Sequence, residues 1–253
     1  MRTPLVAGKW KMNGAKASVE LLVDGIAGDD GFGALTRCEV LVCPPFVYLS
    51  RVFEQIVGTN IQLCAQDVDL RVNGAVTGGV SASMLKDIGC RYVIVGHSER
   101  RTLFNESDEI VATKFEQCLD HGLLPVLCVG ESLAQRQSGS TLEVVTGQLE
   151  TVVSRVGAEA MASATVAYEP VWAIGTGESA TPEQVEEVHR SLRSCLDSID
   201  GELARSMRIL YGGSVTPKNA SDLFANENVD GALVGGASLE ASSFLEICRF
   251  ADK

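Results

Sequence analysis

The sequence predicts a closed (β/α)8 barrel built as one domain over residues 1–253. Eight short β-branched runs recur along the chain with starts about 20 to 45 residues apart, the room a strand–helix–strand crossover needs. Apolar residues at helical spacing fill the intervals. No linker, charge run or low-complexity segment divides the chain, and the first run lacks the G-x-G-x-x-G turn of a dinucleotide fold.

In order, the expected strands are Leu5–Ala7, Glu39–Cys43, Ile61–Ala65, Tyr92–Val95, Pro125–Val129, Thr165–Tyr168, Arg208–Tyr211 and Ala232–Val234. Val19, Leu22, Val23 and Ile26 form a helix face after the first strand, and Ile110, Phe115, Cys118 and Leu119 form one after the fourth. Val185, Val188, Leu192 and Leu196 follow the sixth, and Phe244, Leu245, Ile247 and Cys248 the last. Thr181-Pro182-Glu183 reads as N-cap, N1 proline and first-turn acid. Ser107-Asp108-Glu109 and Pro217 mark two further helix starts.

Composition narrows the function. The 33 acidic against 21 basic side chains, net charge −12, argue against nucleic acid and anionic membrane surfaces, which want clustered Lys and Arg. No apolar run approaches the roughly 20 residues that span a bilayer. The start, Met1 to Lys9, lacks the apolar stretch of a signal peptide. The eight cysteines include no C-x-x-C pair and lie mostly in apolar runs, so they read as small buried hydrophobes of a reducing, cytoplasmic compartment.

In such a barrel, chemistry sits where strands end and loops begin. The first strand runs into Lys9-Trp10-Lys11-Met12-Asn13. A period of two puts Lys9 and Lys11 on one side, a cationic floor suited to an anionic ligand; the plain alternative is a pair of snorkelling surface lysines. After the fourth strand, His97 and Glu99 share a face by the same count, an imidazole and a carboxylate entering the mouth. His97 is one of three histidines and the only one following a strand; a structural histidine is the alternative. After the sixth strand, Glu169 stands just before Pro170 and is a candidate base, or else a structural acid. The segment Val171 to Gly177 that follows is apolar with two glycines, the makeup of a lid. Gly212-Gly213-Ser214 and Gly235-Gly236 follow the last two strands, where backbone N–H groups can close around a phosphate.

The motifs Trp10-Lys11-Met12-Asn13-Gly14, Val95 to Arg101, Ala167 to Gly177, Tyr211 to Val215 and Leu233 to Leu239 resemble those of the triosephosphate isomerase family, in order and over Pro4 to about Phe250. The resemblance implies a TIM barrel that interconverts dihydroxyacetone phosphate and D-glyceraldehyde 3-phosphate, a step of glycolysis and gluconeogenesis. It implies Glu169 as the base, neutral His97 as the group that polarises the carbonyl, and Lys11 as the cation facing phosphate and enediolate. Glu99 would hold Lys11 or nearby polar groups in place. Gly175, Ser214, Gly235 and Gly236 would bind phosphate. Neither metal nor organic cofactor is implied. A homodimer is, built through the loop at residues 73–84.

Two positions depart from the family. Lys9 stands where asparagine is usual; it would still donate to substrate oxygens, but as a longer, charged group that impairs turnover, the alternative being that Lys9 turns aside and a water takes the amide's place. Gly79 replaces an acidic residue of the loop after the third strand, removing a partner for a basic group such as Arg100 and loosening the loop. A barrel that binds phosphate without turnover is the rival reading; another phosphosugar enzyme on this fold would explain the glycine corners but not the His97 segment.

Overall fold

Strand alternation sorts the apolar residues into two populations. Inward-facing Leu5, Ala7, Leu41, Cys64, Ile94, Val126 and Leu210 fill the barrel, while outward-facing Val6, Val40, Val42, Val93, Leu127 and Ile209 pack beneath the helices. Each fully buried aliphatic side chain contributes roughly 1.5–3 kcal/mol, so both layers are needed to close the structure.

The computed structural model describes residues 2–29, 31–174 and 179–252. Its strands are β1 (Leu5–Lys9), β2 (Glu39–Cys43), β3 (Ile61–Ala65), β4 (Tyr92–Val95), β5 (Leu124–Val129), β6 (Thr165–Tyr168), β7 (Arg208–Tyr211) and β8 (Gly231–Val234). They pair in parallel, each with the next, and β8 returns to β1 to close the barrel. β1 runs two residues beyond the apolar signal because Gly8 and Lys9 still pair with Val42 and Cys43. Closure needs a glycine. Gly231 has φ +136°, and a Cβ there would lie 1.9 Å from the Leu5 carbonyl oxygen.

The helix starts follow from capping. Thr181 Oγ1 accepts from the Gln184 amide at 3.3 Å and Gln184 Oε1 accepts from the Thr181 amide at 3.0 Å, opening the helix Pro182–Ile199. Ser107 caps Asp108–Asp120, and Thr216 with Asn219 opens Pro217–Phe224. A short helix, Ser98–Leu103, follows β4 directly, and another, Gly201–Ser206, precedes β7; neither has a long enough apolar stripe to signal itself. At the N-terminal end of the barrel, the first residues of β2, β4 and β7 join. Arg208 donates to Glu39 at 2.6 Å and to the Tyr92 hydroxyl at 3.1 Å, and Tyr92 donates to Glu39 at 2.9 Å.

The loop after β3 holds its own shape. Asp69 N–H donates to Val80 O at 2.8 Å and Gly79 N–H to Val76 O at 3.0 Å. A Cβ at Gly79 would lie 2.8 Å from Asp69 Oδ2 and 3.2 Å from the Val76 carbonyl oxygen, so an acidic side chain here would require Asp69 to move. Arg100 is not left unpaired by the substitution. Its guanidinium meets Glu106 at 2.6 Å and Asp67 at 3.0 Å, and buried Lys114 meets the same two carboxylates at 2.6 Å each. The eight cysteines are all free, and burial pushes several thiols up, Cys90 to about 12. No helix among the described residues is long and apolar enough to cross a membrane.

Candidate active site at the C-terminal mouth

Lys9 ends β1 on the inward alternation of Leu5 and Ala7, and that register buries its side chain to 5% exposure. Its ammonium contacts His97 Nε2 and donates to Glu169 Oε1 at 3.0 Å. His97 is the N-cap of Ser98–Leu103, and its Nδ1 accepts from the Glu99 amide at 3.2 Å. With Nδ1 accepting, the neutral ring carries its proton on Nε2, which donates to Glu169 Oε1 at 2.7 Å and has no lone pair for the Lys9 ammonium beside it. Glu169 follows β6 and is 1% exposed; its Oε2 accepts from the Ser98 amide at 2.9 Å. Burial opposes the ionised form, but His97, Lys9 and the Ser98 N–H outweigh it and hold the carboxyl well below the usual range.

The strand count misplaces two relationships. β1 ends at Lys9, and Lys11 lies beyond it in the left-handed region, φ +52°, so the two lysines are not successive residues of one strand face. Lys9 turns inward to Glu169, whereas Lys11 Nζ reaches Glu99 Oε1 at 2.5 Å. Likewise β4 ends at Val95, so His97 and Glu99 meet through a helical first turn and not through strand alternation.

A cavity of 310 Å³ opens beside this cluster. Lys9, Lys11, Asn13, Ser214, Gly235 and Gly236 line it, with the Gly212-Gly213 turn and Ile174. Glu169 borders a different, 150 Å³ cavity with Ser98, Arg101 and Gln148. The carboxylate is thus drawn back from the space the lysines and glycines enclose. Gly175, expected at the phosphate, lies outside the described residues. Among the described residues, no group of three or more His, Cys, Asp and Glu side chains could hold a metal ion.

Several residues that shape the site carry weaker sequence signals. A Cβ on Gly212 would come within 2.8 Å of Glu169 Cγ, and one on Gly130 within 1.9 Å of the Glu169 carbonyl oxygen. Both glycines mark the ends of apolar runs, a cue for close approach. Glu131, fully buried, accepts from the Tyr168 hydroxyl at 3.1 Å and from Trp172 Nε1 at 2.9 Å. Arg136 lies 3.3 Å from the same carboxylate oxygen and 4.7 Å above the Trp172 ring. This group ties the end of β5 to the Val171–Ala173 turn.

The sequence model of the triosephosphate isomerase family matches residues 4–251. The chain belongs to the triosephosphate isomerase family. A triosephosphate isomerase of Dechloromonas aromatica is 52% identical over 256 residues, covering all of both chains. One from Alcanivorax borkumensis is 51% identical over 99% of each, and one from Escherichia coli O1:K1 47% identical over 100% of this chain and 98% of its own. At the mouth an imidazole, a carboxylate and two lysines adjoin two glycine corners, with Lys9 standing outside the family pattern.

Proposed function

We propose that the chain interconverts dihydroxyacetone phosphate and D-glyceraldehyde 3-phosphate in the cytoplasm, as a step of glycolysis and gluconeogenesis. Glu169 removes a proton from the carbon beside the carbonyl and returns it to the neighbouring carbon. The His97 Nε2 proton polarises the carbonyl oxygen and passes between the two oxygens of the enediolate. Lys11 faces the negative charge that develops there, and Glu99 holds Lys11 by its short contact. Ser214, Gly235 and Gly236 seat the phosphate in the 310 Å³ cavity, with Gly175 contributing from the segment after β6. Lys9 meets the substrate oxygens and slows turnover. The proton leaves one carbon and reappears on the next, so the reaction balances without an added electron or group.

The observation that carries this reading is the convergence of Glu169, His97 and Lys9 within hydrogen-bonding contact beside a lysine- and glycine-lined cavity. A coupled assay with glyceraldehyde 3-phosphate tests it. The intact chain should turn over, and Glu169→Gln should lower kcat by about a thousandfold or more. Phosphate binding without turnover would support the non-catalytic reading.

The chain also forms a homodimer through the 73–84 loop. Supporting this, the apolar side chains of Met12, Val47 and Phe104 are exposed at 97%, 81% and 62%, and a partner subunit would cover them. Sedimentation showing only monomer at micromolar concentration would refute it.

A further inference from the structure

Lys9 has a second role, and it rests on the isomerase reading above. Its ammonium bonds Glu169 Oε1 while the Ser98 amide holds Oε2, so both carboxylate oxygens are engaged by the protein, and Glu169 borders the 150 Å³ cavity while Lys9 lines the 310 Å³ one. Both partners of the ion pair are at least 95% buried, so water competes little for either charge. The inward register of β1 gives Lys9 no other face, because its backbone still pairs with Cys43.

We infer that Lys9 is a positioning residue acting through Glu169: it is a latch that holds the base in a retracted seat, and turnover requires the pair to open. An asparagine or methionine at this position carries no charge to oppose that motion. The groups facing Glu169 are Lys9 from β1, His97 and the Ser98 amide after β4, the Cys128 thiol of β5 and, across the smaller cavity, Arg101. Gly212, from the end of β7, adds no charge. Removing Lys9 deletes an ammonium that opposes the effect of burial, so the Glu169 carboxyl should titrate at higher pH.

Two variants and two readouts test the latch. Lys9→Asn keeps a donor for substrate oxygens; Lys9→Met fills the buried volume without charge, in case asparagine leaves a destabilising void. In the ligand-free protein, the 13C titration of the Glu169 carboxylate, assigned by its loss in Glu169→Gln, should move up by about one pH unit in either variant. This readout is independent of turnover, so the latch and the isomerase assignment can fail separately. In the assay, kcat of Lys9→Asn should rise about tenfold with the acid limb of kcat/KM moving to higher pH. An unmoved titration midpoint overturns the latch, and so does a kcat that stays level or falls.

Discussion

Lys11 Nζ and Glu99 Oε1 meet at 2.5 Å, joining a lysine just past β1 to the first turn of the helix after β4. Lys11 holds a left-handed backbone that a residue with a side chain adopts only when its surroundings fix it. Glu99 is one of those restraints. Glu99→Ala should lower kcat/KM by about tenfold, because a loose ammonium stabilises developing charge poorly. Steady-state kinetics agreeing with the parent within twofold would remove Glu99 from this role.

Gly212 sets how far Glu169 can swing. An alanine Cβ would sit 2.8 Å from Glu169 Cγ and 3.1 Å from the Tyr168 carbonyl oxygen. Gly212→Ala should cut kcat by about a hundredfold, the usual cost of displacing a reacting group by an ångström. KM for triose phosphate should change far less. A larger change in KM than in kcat would place the clash on the phosphate side.

His189 is fully buried, donates from Nδ1 to the Asn228 carbonyl at 3.0 Å, and stands edge-on to Tyr168. Burial pushes its pKa down to about 4. The folded protein keeps the ring neutral while the unfolded chain binds a proton below its ordinary value of about 6.5. Stability should therefore fall as pH drops from 6.5 towards 4, by roughly 3 kcal/mol over the window. Urea midpoints at successive pH values, compared with His189→Asn, read this directly; identical slopes would sink the assignment.

Glu131 gathers Tyr168, Trp172 and Arg136 on one buried oxygen. Glu131→Gln keeps the shape and a carbonyl oxygen for the donors, but loses the charge facing Arg136 and buries an NH2 where Oε2 has no partner among the described residues. It should cost about 2 kcal/mol of stability, read as a lower urea midpoint. A loss below about 0.5 kcal/mol would mean that water replaces the carboxylate.

The strands were readable because their inward and outward faces are both buried, leaving continuous β-branched runs between turn residues. Lys9, Lys11, His97, Glu99, Ser214 and Glu169 could be placed at the mouth for the same reason. What they touch could not. Strand periodicity stops at Lys9 and Val95, so the left-handed turn at Lys11 and the helical turn holding His97 against Glu99 are invisible to a count of two. The Lys9–Glu169 pair spans 160 residues and depends on a register that only barrel closure sets. His189 could have been found: with Val185, Leu192 and Leu196 it completes a helical stripe, and a polar residue there signals burial.

Gly130 and Gly213 have a consequence for how this protein can change. A Cβ at Gly130 would collide with the Glu169 backbone, and one at Gly213 with the Tyr211 ring. These two positions at the mouth therefore admit no side chain without displacing a neighbour. Selection for a longer or bulkier sugar has to leave them alone and act on loop length and composition between the strands. A mutagenesis library aimed at new substrates would gain its diversity there, and variants at the two glycines would be lost before their chemistry could be sampled.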